Sequence, residues 1–86
     1  MTRYQILYWQ DLPSQIRAED EDDEIKILLP QRFQDRIDEA AAERGAQGTD
    51  DYLAGWKWGE ESERDGTAQE VADAISQELM EKYSSI

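Results

Sequence analysis

The sequence predicts an α+β fold in which a three-stranded antiparallel sheet is followed by three helices packed on it. Strand-like segments fill the first third of the chain, and the helical periodicity of apolar residues begins only at Pro30. Neither a repeat nor an inter-domain linker interrupts this pattern. With 86 residues, the chain has room for a single domain, residues 1–86, around one modest core.

The predicted strands are short segments rich in apolar, aromatic and β-branched residues. In the first strand, Tyr4, Ile6 and Tyr8 alternate onto one face, as expected for a strand within a sheet. A turn over residues 11–14 follows, because Pro13 lacks the backbone N–H that a sheet ladder needs. We expect the three strands at residues 3–9, 15–18 and 24–29.

Two long helices have clear sequence signals. Residues 30–44 repeat apolar side chains every three or four positions and begin with Pro30 at the first helical position. Gly45 then suits a left-handed cap after the last turn. Residues 68–83 have the same period and follow Thr67, which can form a capping box with a glutamate three residues later.

A shorter helix is expected over residues 50–61. Thr49 is a good N-cap residue, and the two aspartates after it favour a helix start. Tyr52 and Trp56 are four residues apart, so they share one helix face. The two glycines within the segment each weaken a helix by roughly 1 kcal/mol relative to alanine.

The composition limits the chemistry available to the chain. It has 21 acidic and 9 basic residues, a net charge of −12, and neither histidine nor cysteine. Nucleic acid and anionic lipid repel an acidic surface, so we expect no nucleic acid and no membrane partner. Without histidine and cysteine, disulfides, thiolate chemistry and histidine-based metal sites are excluded. We therefore predict a non-enzymatic, cytoplasmic protein without a cofactor or metal ion.

The most distinctive candidate site is an aromatic group formed by Tyr52, Trp56 and Trp58, with Lys57 between the two tryptophans. On a helix, Trp56 and Trp58 would point to different sides, so one can be buried while the other stays near the surface. Trp58 is the better candidate for exposure and for contact with a protein, because tryptophan is enriched in interface hot spots. Alternatively, both indoles pack on the sheet against aromatic residues of the first strand.

A run of six acidic residues forms a second candidate surface: Glu19, Asp20, Glu21, Asp22, Asp23 and Glu24. Such a run can guide a basic partner electrostatically. Clustered carboxylates can also bind Ca²⁺, but this run lacks the glycine and the spaced glutamate of an EF-hand loop. The simplest interpretation is a solvated hairpin loop.

Four segments resemble a small bacterial family known as the virulence factor family. They are YQILYWQDLP at residues 4–13, RFQ at 32–34, IDEAA at 37–41 and TDDYLAGWKWGE at 49–60. A related module is one part of a larger protein, conserved virulence factor C, beside NifU-like and helical-repeat segments. This company implies a role in protein assembly or contact. The resemblance brings no established catalytic residues to this chain.

Together these observations predict an accessory or protein-interaction domain whose partner is another protein or a second copy of the chain. One alternative is a ribbon-helix-helix-like regulator, because residues 25–30 and the two helices after them have that order. Only Lys26 would be available there as a basic side chain for reading DNA. Another alternative is an accessory protein that stacks a small flat cofactor on the aromatic group, although no phosphate-binding glycine loop accompanies it.

Overall fold

The computed structural model describes residues 1–45, 48 and 50–86 and contains five strands and three helices. The strands are β1 (Thr2–Trp9), β2 (Leu12–Glu19), β3 (Glu24–Leu28), β4 (Trp56–Trp58) and β5 (Ser62–Arg64). The helices are α1 (Gln31–Glu43), α2 (Asp50–Ala54) and α3 (Ala68–Lys82). The predicted α+β class is confirmed, although the sheet has two strands more than the three expected. The predicted N-cap Thr49 lies outside the described residues.

All strand pairs in the sheet are antiparallel, with β2 between β3 and β1. Both short strands pair with the other edge of β1, one after the other. β4 lies along the end of β1, with Trp58 opposite Leu7, and β5 lies along its beginning, with Ser62 opposite Tyr4. The chain between β4 and β5 forms a bulge that is tied to β1, since the Gly59 N–H donates to the Ile6 carbonyl. Thus β4 comes from the segment expected to be helical, and β5 comes from the residues directly after it.

The prediction of one helix over residues 50–61 was therefore wrong. α2 ends at Ala54, and residues 56–58 and 62–64 are strands. Helix propensity is a weak prior that tertiary pairing overrides, and the two glycines lower the cost of leaving the helix. The edge of β1 supplies unpaired backbone groups, and the alternating Trp56 and Trp58 suit a strand.

The second strand is also longer than expected. β2 begins at Leu12, so the predicted turn over residues 11–14 is reduced to Gln10 and its neighbour Asp11. Gln10 has a φ of 57°, which a tight hairpin requires of its first turn residue. Pro13 fits inside the strand because the β1–β2 register shifts beside it, and prolines within sheets are confined to edges, ends and bulges.

The cap signals of both long helices are present, but α1 is one residue shorter than predicted at each end and α3 ends one residue earlier. Pro30 is the N-cap of α1 and not its first helical residue, and Arg44 is the C-cap. After α1, Gly45 has a φ of 67° and donates its N–H to the Ala42 carbonyl, which is the expected left-handed cap. Before α3, the Thr67 hydroxyl accepts from the Glu70 N–H, and the Glu70 carboxylate accepts from the Thr67 N–H. This reciprocal pair completes the predicted capping box.

The main core lies between one face of the sheet and the apolar side of α3. The strand residues of this face alternate inward, and α3 contributes residues at helical spacing. Phe33 of α1 closes one end of the cluster. The buried members are Ile16, Ala18, Leu29, Phe33, Ala68, Val71, Ala72, Ile75 and Leu79.

A second, smaller core forms where α1 and α2 meet the end of β1. Trp9 is its centre and is 1% exposed. The other buried members, all on α1, are Ile37, Ala40 and Ala41. Partly buried residues that pack against them are Leu12, Tyr52 and Trp56. This cluster positions the aromatic group that the sequence singled out.

Close packing against the Trp9 ring requires glycine at position 55. A Cβ placed on Gly55 would lie 2.5 Å from Nε1 of Trp9, well inside van der Waals contact. The Trp9 N–H donates to the Tyr52 carbonyl at 2.7 Å, and the Gln10 N–H donates to the Gly55 carbonyl at 2.9 Å. The first bond fixes the indole to α2, and the second fixes the Gly55 backbone beside it. Neither group can therefore move away easily from an added methyl group.

We predict that Gly55→Ala lowers the free energy of unfolding by about 2–3 kcal/mol, because overpacking forces the indole or the backbone to shift. Gly59→Ala is the matched control. Its added Cβ would lie 3.1 Å from a ring atom of Tyr8, a half-buried side chain, and we expect a loss below about 1 kcal/mol. Urea unfolding of both variants measures the difference, and equal losses would show that Trp9 adapts to the extra methyl group.

Candidate protein-interaction surface

The aromatic group divides into two partly buried members and one exposed member. Tyr52 and Trp56 pack on Trp9 in the second core, with ring centroids 5.9 Å apart for Trp9 and Tyr52 and 6.0 Å apart for Tyr52 and Trp56. The second of these pairs is edge-to-face, an arrangement that aromatic quadrupoles favour. These rings therefore contact one another and support the fold.

Trp58 lies at the surface, with its side chain 40% exposed. The expectation that Trp56 and Trp58 point to different sides was wrong, because alternate residues of a strand share a face. The two side chains differ in what covers them. Trp56 packs against the second core, whereas Trp58 lies opposite Leu7, outside that core. Lys57 points to the other face of β4 and is exposed.

On the face of the sheet opposite the main core, α1 and α2 cover only the end that carries Trp9 and Trp56, and we call the rest of this face the open face. Strand alternation and register place on it Arg3, Gln5, Leu7, Gln15, Arg17, Glu19, Glu24, Lys26, Leu28, Trp58 and Glu63. Each of these side chains is half-buried or exposed. On the other face, Ile16, Ala18 and Leu29 are buried. The contrast shows that the described helices pack on one side of the sheet along most of its length.

An apolar row crosses the open face. Trp58 is opposite Leu7, Leu7 is opposite Gln15, and Gln15 is opposite Leu28. Leu28, at the other end of this row, is 74% exposed. We define the apolar row as Trp58, Leu7 and Leu28, with Gln15 between the two leucines. The sequence reasoning missed Leu7 and Leu28, which the alternation of polar and apolar residues along β1 and β3 assigns to this face.

The other side chains of the open face are polar or charged, and most of the charged ones form ion pairs with one another. Arg3 pairs with Glu19 at 2.7 Å, and both Arg17 and Lys26 lie 3.6 Å from Glu24. Such exposed pairs contribute little to stability, about 0–1 kcal/mol each. They affect recognition instead. Because the basic side chains of this face already have carboxylate partners, they are less available to an acidic partner.

A groove opens at the Leu28 end of the apolar row. It has a volume of about 160 Å³ and lies where the end of β3 meets the beginning of α1. Leu28 and Leu29 supply apolar surface, and the polar rim is formed by Ser14, Gln31 and Gln34. The groove therefore combines an apolar wall with hydrogen-bonding groups, as ligand sites on proteins commonly do.

The family comparison covers nearly all of this surface. A family model described as virulence factor matches residues 7–86, which include the whole apolar row and the groove. The chain belongs to the virulence factor family. No curated protein and no solved structure gave a match.

In this virulence factor family domain, the acidic run forms a hairpin with exposed residues 21–23, and one of its carboxylates also contacts α3. Glu19 ends β2 and Glu24 begins β3, so the connecting loop comprises residues 20–23. Asp20 accepts hydrogen bonds from the N–H groups of Asp22 and Asp23 with one oxygen. Its other oxygen accepts from the Ala68 N–H at 2.7 Å, at the beginning of α3. Asp20 thus ties the hairpin to a helix N-terminus, where a negative charge is favourable.

The shifted pKa values of the domain follow from structural contacts. Hydrogen bonds from Ala68 and the hairpin backbone lower the pKa of Asp20, and a bidentate contact with Arg64 lowers the pKa of Glu78. Burial raises the pKa of Tyr8 and Tyr83.

Two further features of the described part of the chain bear on the site. Among the described residues, no group of three or more histidine, cysteine, aspartate or glutamate side chains is arranged to hold a metal ion. Within the same part of the chain, no helix has both the length and the apolar character needed to cross a bilayer.

We predict that Asp20→Ala destabilises the domain at neutral pH and makes its stability less dependent on pH under acidic conditions. A lowered folded-state pKa means that ionised Asp20 stabilises the fold above the ordinary aspartate pKa of about 3.9. That contribution is lost as the pH falls through the folded-state pKa. Asp22→Ala, which removes a neighbouring carboxylate that makes no such contact with α3, is the control. Urea midpoints measured between neutral pH and about pH 2 test this, and identical curves for both variants would contradict it.

Proposed function

We propose that this domain is a non-enzymatic accessory module that binds another protein through its open face. The observation that carries the proposal is the apolar row, in which Trp58 is 40% and Leu28 74% exposed on the part of the sheet face that the described helices leave uncovered. Exposed apolar residues that lie together mark interaction sites more often than singly scattered ones. The family's name gives no chemistry, so the proposal rests on this surface.

The size of the row suits a small interface. It crosses four strands, and three strand spacings amount to about 14 Å. Full burial of one large apolar side chain contributes about 1.5–3 kcal/mol, so the exposed parts of Trp58 and Leu28 can anchor a partner without making a permanent oligomer. Tryptophan is a frequent hot-spot residue in such contacts.

The alternative functions fit the arrangement less well. A ribbon-helix-helix regulator reads DNA with the side chains of a ribbon, whereas β3 is the edge strand of a five-stranded sheet. The side chains that β3 presents on the open face are Glu24, Lys26 and Leu28, and only one of them is basic. Stacking of a flat cofactor is disfavoured because Tyr52 and Trp56 already pack against other rings.

A reducing cytosol is the environment that we propose for this module. The chain has no cysteine that could form a disulfide, so its stability depends on its two small cores. We propose neither nucleic acid nor lipid as a partner, because a net charge of −12 opposes contact with phosphate groups.

We predict that a partner captured from extracts of the native host binds the domain more weakly when side chains of the apolar row are truncated to alanine. Leu28→Ala and Trp58→Ala should each weaken binding about tenfold or more, as expected for hot-spot residues. Leu53→Ala is the matched control, because Leu53 is 68% exposed but lies on α2, outside the open face. Its effect should stay within about twofold. Isothermal titration with the purified partner measures these changes.

Stability measurements separate lost binding from lost folding. Leu28→Ala should change the free energy of unfolding by less than about 0.5 kcal/mol, because this side chain is mostly exposed. Trp58→Ala should lower the free energy of unfolding by about 1 kcal/mol, because it removes the cross-strand contact with Leu7. If the partner binds the Leu28 and Trp58 variants as tightly as the original protein, the open face is not the interaction surface.

A further inference from the structure

The groove beside Leu28 has the size of one apolar side chain. Its volume is about 160 Å³, and cavities of about 150 Å³ hold a benzene-sized molecule. Leu28 and Leu29 form its apolar wall, while Gln31 and Gln34 can donate to or accept from a partner's backbone. A leucine, methionine or phenylalanine of a partner therefore fits there as an anchor.

Carboxylates stand next to this groove. The side-chain amide of Gln31 donates to Asp35 at 3.1 Å, and that of Gln34 donates to Asp38 at 3.0 Å. The two glutamines on the rim are thus each bonded to an aspartate one helical turn further along α1. At the other end of the apolar row, Glu60 follows Trp58 by two residues and is exposed.

The basic side chains of the open face already have carboxylate partners. Arg17 and Lys26, which lie in the neighbouring row of the open face, both pair with Glu24. The chain as a whole has a net charge of −12. The open face itself is balanced and α1 also carries Arg32 and Arg36, so the negative excess that a partner meets is that of the whole domain. This net charge attracts basic segments and repels acidic ones. A second copy of this chain would bring the same carboxylates and another −12 to the contact.

We infer that the apolar row takes a basic segment of a partner protein, in which one apolar side chain enters the groove beside Leu28 and flanking lysine or arginine residues face the carboxylates of α1. This inference rests on the proposed function and adds the chemistry of the partner. The apolar anchor supplies contact area at Leu28 and Trp58. The basic residues supply steering and selection against acidic segments.

Synthetic 18-residue amphipathic peptides test this inference with the intact domain. One peptide combines leucine with lysine, the second combines leucine with glutamate, and the third replaces the leucines of the first by alanine. We expect the leucine–lysine peptide to shift the amide resonances of Leu7, Gln15 and Leu28 and the indole resonance of Trp58. The other two peptides should bind at least about tenfold more weakly. Raising the salt concentration from 50 to 300 mM should weaken the leucine–lysine complex several-fold.

Matched variants show where the peptide binds. Leu28→Ala should weaken the leucine–lysine complex about tenfold, and Leu53→Ala by less than about twofold. Equal binding of the alanine–lysine peptide, or resonance shifts confined to residues 20–23, would overturn the inference by showing charge attraction alone. Equal effects of the two leucine variants would overturn it as well.

The two proposals fail in different ways. If the leucine–glutamate peptide binds as tightly as the leucine–lysine peptide and depends on Leu28, the open face is a binding surface and the inferred partner charge is wrong. If no peptide binds but the captured partner depends on Leu28, the proposed function stands and the inferred segment chemistry is wrong. If the peptide binds at Leu28 but the captured partner ignores that residue, the proposed function is wrong.

Discussion

The indole of Trp9 joins the end of the sheet to two helices and to the strand that follows them. One side of the ring packs on α1, its N–H donates to the Tyr52 carbonyl of α2, and Gly55 lies directly against it. Because Gly55 has no side chain, the backbone can pass this close to the ring, and its carbonyl accepts the Gln10 N–H. The chain leaving α2 is thereby laid alongside β1 in antiparallel register.

The exposure of Trp58 is a consequence of that register. Once Trp56 is opposite Trp9, the next residue on the same face, Trp58, must be opposite Leu7. The two pairs form one continuous aromatic and aliphatic band, yet α1 and α2 cover only the pair at the end of the sheet. Trp58 and Leu7 are thus the uncovered continuation of a core. Such a position gives the exposed indole a rigid support, which lowers the entropy lost when a partner binds.

How far the sequence predicts this fold depends on the range of the interactions involved. The helices near residues 30–44 and 68–83 follow from local periodicity and caps, and the Thr67–Glu70 capping box was predicted to the residue. The strands β4 and β5 depend on pairing with β1, which lies about fifty residues away in the chain, and no local pattern contains that information. The glycines were interpreted as weak points of a helix, whereas Gly55 is required by a distant ring.

The candidate site could be predicted only in part, because long-range strand pairing brings some of its residues together. Trp58 was identified from its residue type and from its offset relative to Trp56, but the offset argument assumed a helix and gave the wrong geometry. Leu7 and Leu28 become part of the site only through register, since they are distant in sequence but lie in one row of the sheet, on either side of Gln15. Alternation along β3 assigns Leu28 to the face of Lys26. Only the location of the helices shows that this face is open.

The acidic charge has several distinct roles in the structure. Asp20 holds the hairpin to α3, Glu19 and Glu24 neutralise basic residues of the open face, and Glu78 pairs with Arg64. These carboxylates are occupied within the fold. Other carboxylates, such as Asp35 and Asp38, lie beside the apolar row. The cations of the open face are already paired with Glu19 and Glu24. A partner therefore meets apolar area at the centre of the contact and negative charge at its margin, so shape and apolar contact determine affinity while charge determines which partners approach.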